Sequence, residues 1–392
     1  MTMEDFNQLL ANITDPKHSS YAVPAAVCSV VNRDGKSMSL WKVVYSRSAG
    51  TSGTDVPLSE NSVFWMASQT KVMTTIAAMQ CVERNLIGFD EDVARVLPDL
   101  SLLEILDGRD SFGRWKTRKR TKKITLSGVS VEGMSTSLAE WAKQNNFSNH
   151  SLDNTMISTR VLPLVDEPGA QLLYGAGIDW AGILVERLSG QTLEDYMSQN
   201  IWKPLGMTST TFHPELNPDI HARLVKPYER TAEGTLKPRE TPLVPIPSPT
   251  SVGGHGAYSC PKDYVKLFTA LLQGGQPILK KHTLDEIFSP QLVHKESIKT
   301  FLEGPFAFML GYSIPKGVHT DHGLAGLLAM EDHPGGRRKG SLQWIGMPNN
   351  FWWVDPQTGI AGVVFCQYFP PGDPGAVSIH KGLESAVYGT FK

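Results

Sequence analysis

Apolar residues gather in short β-rich runs at both ends of the chain and recur at helical spacing between them. From residue 22, AVPAAVCSVV is followed by Asn32-Arg33-Asp34-Gly35-Lys36 and then MSLWKVVYS, two β-rich runs around an Asp-Gly pair that predict a hairpin in an antiparallel sheet. After Ser68 the period changes. Val72, Ile76, Met79 and Val82 fall on one helical stripe, with Asn85 near its stop and Asp90 opening the next element. DVARVLPDLSLLEIL, SLAEWAKQNN, GIDWAGILVERLSG and TLEDYMSQNIWKPLGM also carry helical spacing; Gly190 suits a C-cap and Thr192 an N-cap, with Asp195 three residues on. Residues 226 to 256 are rich in proline and glycine and read as loops bordering a cleft, followed by a helix in VKLFTALLQGG. Strands return in GSLQWIGM and NNFWWVDPQTGIAGVVFCQYF, with a turn at Asp355 to Gly359, and a helix near HKGLESAVYGTF ends the chain. This order predicts an α/β fold with its sheet completed by the C-terminus. Residues 1–95 and 226–392 would form the sandwich domain and 96–225 a helical domain, with the active site at their interface.

Composition narrows the partners. A chain of 392 residues is longer than one typical core, which suits a closed site between two units. Hydrophobic residues at 41%, charged residues at 19% and a net charge of -2 describe an ordinary globular protein and argue against a nucleic-acid partner. MTMEDFNQLLANITDPKHSS lacks the basic start and apolar core of a secretory signal, and no later run approaches the roughly 18 to 20 apolar residues of a membrane span. The expectation is a cytoplasmic protein without a membrane contact. Cys28, Cys81, Cys260 and Cys366 are far apart with no CxxC pair, as expected of buried, reduced thiols. No close His/Asp/Glu set has ligand spacing, so neither a metal nor a cofactor is expected. His255 and His333 sit in glycine-rich loops that suit a cleft wall, with no G-x-S-x-G elbow beside them.

Three short segments carry candidate chemistry. In WMASQTKVMT, Ser68 and Lys71 stand three residues apart, on one face of a helix start. A serine hydroxyl is a poor nucleophile until a neighbouring base takes its proton, and a neutral amine can do so. The same helix start presents the Ser68 backbone N–H to a developing oxyanion. In PGAQLLYGAGIDWAG, Tyr174 precedes small residues at the start of a helix and can aim its hydroxyl into a cleft as a second proton carrier. In KGSLQWIGMPN, a glycine-bearing strand lets backbone approach a ligand and offer a second oxyanion donor. Taken singly, each also reads blandly: a polar helix start, a packed tyrosine, a strand bent at Gly346.

Together, in this order and at these separations, the segments resemble the serine β-lactamase and penicillin-binding-protein superfamily, especially its class C and esterase branch. LYGAGIDWAG, GGHGAYSCP at 253 to 261, LAGLLAMED at 324 to 332 and RRKGSLQWIGMPN resemble the fungal polyketide acyltransferases of the lovastatin side-chain type. The resemblance implies a β-lactamase-like (DD-peptidase) fold, with a mixed antiparallel sheet flanked by helices. It implies a ping-pong acyl transfer from an acyl thioester to a hydroxyl of a polyketide-like acceptor. Carried over residue by residue, Ser68 is the nucleophile, Lys71 its base and Tyr174 the proton relay. Trp344, Ile345 and Gly346 fall where lactamases have Lys-Thr-Gly, and the N–H of Met347 joins that of Ser68 as the oxyanion hole. Trp344 in place of the lactamase cation, and Gly177 near where the Tyr-x-Asn asparagine would be, argue against antibiotic hydrolysis. They suit an apolar ligand, with Trp65, Trp180, Trp344, Trp352, Trp353, Phe351 and Tyr258 as candidate aromatic walls and His255 as a further contact.

Two features stand apart from that likeness. In KITLSGVS at 123 to 130, about seven residues that relatives carry between KITL and SG are missing. RWKTRKRTKK at 114 to 123 packs seven basic residues into ten. Such a run reads either as a solvated loop or as a docking patch, around Arg114, Lys116, Arg118, Lys119 and Arg120, for an acidic acyl-carrier domain. An esterase or lactonase of the same fold differs only in letting water deacylate the enzyme. A non-catalytic binding protein is disfavoured by the joint presence of Ser68, Lys71 and Tyr174.

Overall fold

The computed structural model describes residues 1–33, 43–45, 58–126, 135–147, 161–304, 307 and 313–390. Its centre is a seven-stranded antiparallel sheet. Across the sheet the strands run Val43–Tyr45, Ala26–Asn32, Ile360–Phe365, Asn350–Asp355, Leu342–Gly346, Leu327–Ala329 and Thr320–His322. Both ends of the chain therefore build one sheet: Val27 pairs with Phe365 and Asn32 with Ile360. The early hairpin is present, with Ala26 opposite Tyr45, while its Asp34-Gly35 turn lies outside the described residues.

The three C-terminal strands from Leu342 to Phe365 are buried at every position. Such near-continuous apolar strands belong to a sheet covered on both faces. The N-terminal helix Met3–Thr14 packs with the last helix Pro374–Thr390, and the Pro261–Leu272 helix packs on the Ala26–Asn32 and Ile360–Phe365 strands. The first helix opens with a capping box, in which Thr2 Oγ1 accepts from the Asp5 N–H and Asp5 Oδ2 accepts from the Thr2 N–H. The four cysteines are buried and form no disulfide, and burial raises their thiol pKa values. No helix among the described residues is long and apolar enough to cross a membrane.

The helical reading of residues 92–106 is corrected. DVARVLPDLSLLEIL forms two short 3-10 turns, Val93–Arg95 and Pro98–Leu100, then a strand, Glu104–Arg109, paired with Trp115–Lys119. Pro98 interrupts the helix, and the turn between the strands is fixed by Asp110, whose Oδ1 accepts from the N–H groups of Phe112 and Arg114. The basic run is therefore half strand rather than all loop. Elsewhere in this region the punctuation reads correctly: Gly190 ends the Gly177–Ser189 helix with φ 69°, and Thr192 caps the next through the Asp195 N–H. Residues 127–134, where the resemblance implies a shortened segment after Leu126, lie outside the described residues.

Candidate active site

Ser68 sits in a single 3-10 turn, Ala67–Gln69, that runs straight into the buried helix Thr70–Glu83. The preceding Ala67 has φ 47°, a left-handed conformation that an alanine adopts only when its surroundings force it. Several ties supply that force: the Met66 N–H donates to the Ala257 carbonyl, the Tyr264 hydroxyl donates to the Gln69 carbonyl at 2.8 Å, and Asn350 donates to the Trp65 carbonyl. The end of the Leu342–Gly346 strand packs directly on this turn. A Cβ at Gly346 would stand 2.6 Å from the Met66 carbonyl oxygen, so the strand can come this close only with glycine there.

Lys71 follows on the first turn of the helix. Its Nζ donates to Ser68 Oγ at 3.2 Å and to the Gly254 carbonyl at 2.7 Å. The carbonyl is held in turn: the Gly254 N–H donates to Asp179 Oδ1 at 2.6 Å, and Thr74 donates to the Gly253 carbonyl at 2.7 Å. Gly254 has no room for a side chain, since a Cβ would meet Asp179 Oδ1 at 2.3 Å. Asp179 belongs to the helix that starts three residues after Tyr174, so one chain of contacts links the lysine, the 253–257 loop and the tyrosine's helix. The Tyr174 hydroxyl is hydrogen-bonded to Ser68 Oγ. Its ring stacks on Trp344 with centroids 6.0 Å apart, and Lys71 Nζ lies 4.9 Å from its centre. A serine hydroxyl with an amine on one side and a phenol on the other can lose its proton to one and return it through the other.

Beside this trio lies a cavity of about 150 Å³, lined by Lys71, Tyr174, Trp344, Phe301, His322 and Leu324 among others. One wall is a ladder of rings, Tyr174 on Trp344 and Trp344 on Phe301, the latter pair 6.5 Å apart and 11° from parallel. His322 meets the Trp344 ring at 80°, and burial pushes its pKa down to about 4, so it faces the cavity as a neutral imidazole near pH 7. Gln171, Gln291 and Ser297 add polar groups to an otherwise largely apolar lining.

A description of one family, Beta-lactamase, matches residues 6–385. The chain belongs to the Beta-lactamase family. It is similar to the Monacolin J acid methylbutanoyltransferase of Aspergillus terreus, 36% identical over 349 residues, covering 86% of this chain and 84% of that protein. It is also similar to the Lovastatin esterase of Penicillium rubens, 32% identical over 349 residues and 84% and 86% of the two chains. Among solved structures, unliganded Simvastatin Synthase (LovD) from Aspergillus terreus has a TM-score of 0.88 at 31% identity, over 99% of this chain and 98% of that one.

The three segments that carried the likeness to the Beta-lactamase family meet at one point, with Ser68, Lys71 and Tyr174 in mutual contact. Of the seven aromatic residues considered as walls, Trp344 lines the cavity. The others do not, and the reason is packing. Trp180, Phe351, Trp352 and Trp353 are buried in the main core, and Trp65 and Tyr258 face each other across a short strand pair in a second cluster. His255 does not line the cavity, and its carbonyl accepts the Trp65 indole N–H at 2.7 Å. Ile345 is buried in its strand, and Met347 packs on the cluster containing Ala67. Ala67, Asp179, Gly254, Phe301 and His322 were missed. Of these, Ala67, Asp179 and Gly254 lie inside the quoted stretches WMASQTKVMT, PGAQLLYGAGIDWAG and GGHGAYSCP, while Phe301 and His322 lie outside them.

Proposed function

We propose that the chain is a serine acyltransferase of the Beta-lactamase family, moving an acyl group from a thioester to a hydroxyl of a polyketide-like acceptor through an acyl-enzyme. The observation that carries this reading is the convergence of Lys71 and Tyr174 on Ser68 Oγ beside an apolar cavity. In this reading Ser68 attacks the thioester carbonyl, Lys71 takes its proton, and the N–H groups of Ser68 and Met347 hold the oxyanion. Tyr174 passes a proton to the departing thiolate and later receives one from the acceptor hydroxyl. A cavity of about 150 Å³ has the size that accommodates a benzene-like group. It therefore suits a short acyl chain against the aromatic ladder, with the acceptor approaching from its mouth.

One specific observation favours a second reading, hydrolysis: a relative at 32% identity is named an esterase. The two differ in whether water reaches the acyl-enzyme. Intact mass spectrometry with a short branched acyl thioester tests both. A lasting adduct cleared by hydroxylated polyketides supports transfer; an adduct cleared as fast by water as by any alcohol makes the protein a hydrolase.

The basic run from Arg114 to Lys123 bears on the donor. Three of its arginines are engaged at home: Arg114 with Asp110, Arg118 with Glu167 and Arg120 with Asp92. Arg118 holds the Glu167 carboxyl down to about 2, and that carboxylate also accepts the N–H groups of Thr121 and Lys122. The pairing ties the strand to the segment that reaches the cavity at Gly169 and Gln171. Lys116, Lys119 and Lys122 are exposed, and we assign them to the docking of an acidic acyl-carrier domain. Reversing their charge should raise the apparent KM for a carrier-bound donor about tenfold and leave a free small thioester unaffected. Equal effects on both donors would remove the docking role.

A further inference from the structure

A second serine, outside the cavity, has the surroundings of an activated nucleophile. Ser251 Oγ lies 3.1 Å from His213 Nε2, and His213 Nδ1 lies 3.4 Å from Glu215 Oε1. This is the serine, imidazole and carboxylate order in which the acid fixes the imidazole and the imidazole accepts the hydroxyl proton. With the carboxylate at Nδ1, the tautomer protonated there is favoured, leaving Nε2 to accept from Ser251. None of the three residues lines the cavity beside Ser68.

The arrangement is framed on every side. Thr211 exchanges backbone hydrogen bonds with Tyr258, and its Oγ1 accepts the His213 N–H at 2.9 Å. The Glu194 carboxylate accepts the Thr211 hydroxyl and the Phe212 N–H. The turn Pro214–Leu216 then brings Glu215 back beside the imidazole two residues before it. The other carboxylate oxygen, Glu215 Oε2, is buried and has no hydrogen-bond partner among the described residues. Oε1 is the oxygen of Glu215 that approaches His213. Ser251 and His213 are half-buried, so both remain partly open to solvent.

We propose that Ser251 is a second nucleophile of this protein, activated by His213 and Glu215, that accepts acyl groups from small activated donors, thioesters and aryl esters, independently of Ser68. In the acyl step the bond from Oγ to the carbonyl carbon forms and the acyl bond to the leaving group breaks, C–S in a thioester and C–O in an aryl ester. The Oγ proton passes to His213 Nε2 and then to the departing thiolate or phenolate.

The test uses a fluorophosphonate, with which the Oγ–P bond forms and fluoride leaves together with the proton. Ser68→Ala should still take one adduct, mapped by peptide mass spectrometry to Ser251. Adding His213→Gln should slow that labelling about 100-fold, and Glu215→Gln should slow it less. In the otherwise wild-type chain, His213→Gln should keep the adduct on Ser68, which shows that the fold is intact. Should Ser68 labelling be lost as well, Glu215→Gln in the same chain decides. The proposal is overturned if Ser68→Ala takes no adduct, if the adduct maps elsewhere, or if Ser251 is labelled at an unchanged rate in the variant that keeps Ser68 reactive.

Discussion

Ser68→Ala is expected to lower kcat by about 10⁴-fold or more, with no acyl adduct at position 68 in intact and peptide mass spectra. The size follows from what the hydroxyl does: with no oxygen to acylate, the covalent route closes, and only binding and oxyanion contacts remain to assist direct attack. The fold should survive. The substitution removes two side-chain hydrogen bonds, to Tyr174 and from Lys71, while the turn keeps its ties through Met66, Gln69 and Trp65. Unfolding should therefore remain cooperative, with a midpoint within a few degrees of wild type. A variant that keeps more than about a hundredth of wild-type kcat would contradict the covalent route. An adduct that persists must be mapped before it counts, because Ser251 offers a second acceptor.

The site and the fold were legible to different depths. Ser68, Lys71 and Tyr174 stand out as candidates in the sequence because they lie in short, ordered motifs, and the structure brings the three side chains into contact. The sheet was readable because its C-terminal strands are buried on both faces and so appear as unbroken apolar runs. The strand Glu104–Arg109 was not, since leucines and isoleucine spaced over Leu102 to Leu106 serve a helix face as well as a strand. The Asp110-to-Gly113 turn, whose pairing decides the matter, is a weaker signal. The aromatic walls failed for another reason. An indole is favoured in a core and in a pocket by the same apolar surface, so composition could not tell Trp344 from Trp352. Phe301 lies outside the motifs and His322 two residues before LAGLLAMED, and only folding sets them against Trp344. The Ser251 arrangement was invisible because its serine and histidine are 38 positions apart and meet across a loop.

Lys71→Met should cost more than Tyr174→Phe, and the double variant should be little worse than Lys71→Met alone. Each single side chain touches Ser68, so each loss is expected in kcat rather than KM: about 10³- to 10⁴-fold for the lysine and about 10²- to 10³-fold for the tyrosine. The asymmetry comes from the contacts. Phenylalanine at 174 keeps the ring on Trp344 and beneath the lysine, and loses only the hydroxyl on Ser68. Methionine at 71 removes the amine from Ser68, from the Gly254 carbonyl and from the Tyr174 ring at once, leaving that carbonyl without the lysine donor. With the amine gone the phenol has no base to exchange protons with, so its own removal should add little, as for groups that act as a unit. Steady-state kinetics on the four proteins closes the cycle. If the two losses multiplied independently, Lys71 and Tyr174 would be acting in separate steps on separate protons, and the shared relay through Ser68 would have to be abandoned.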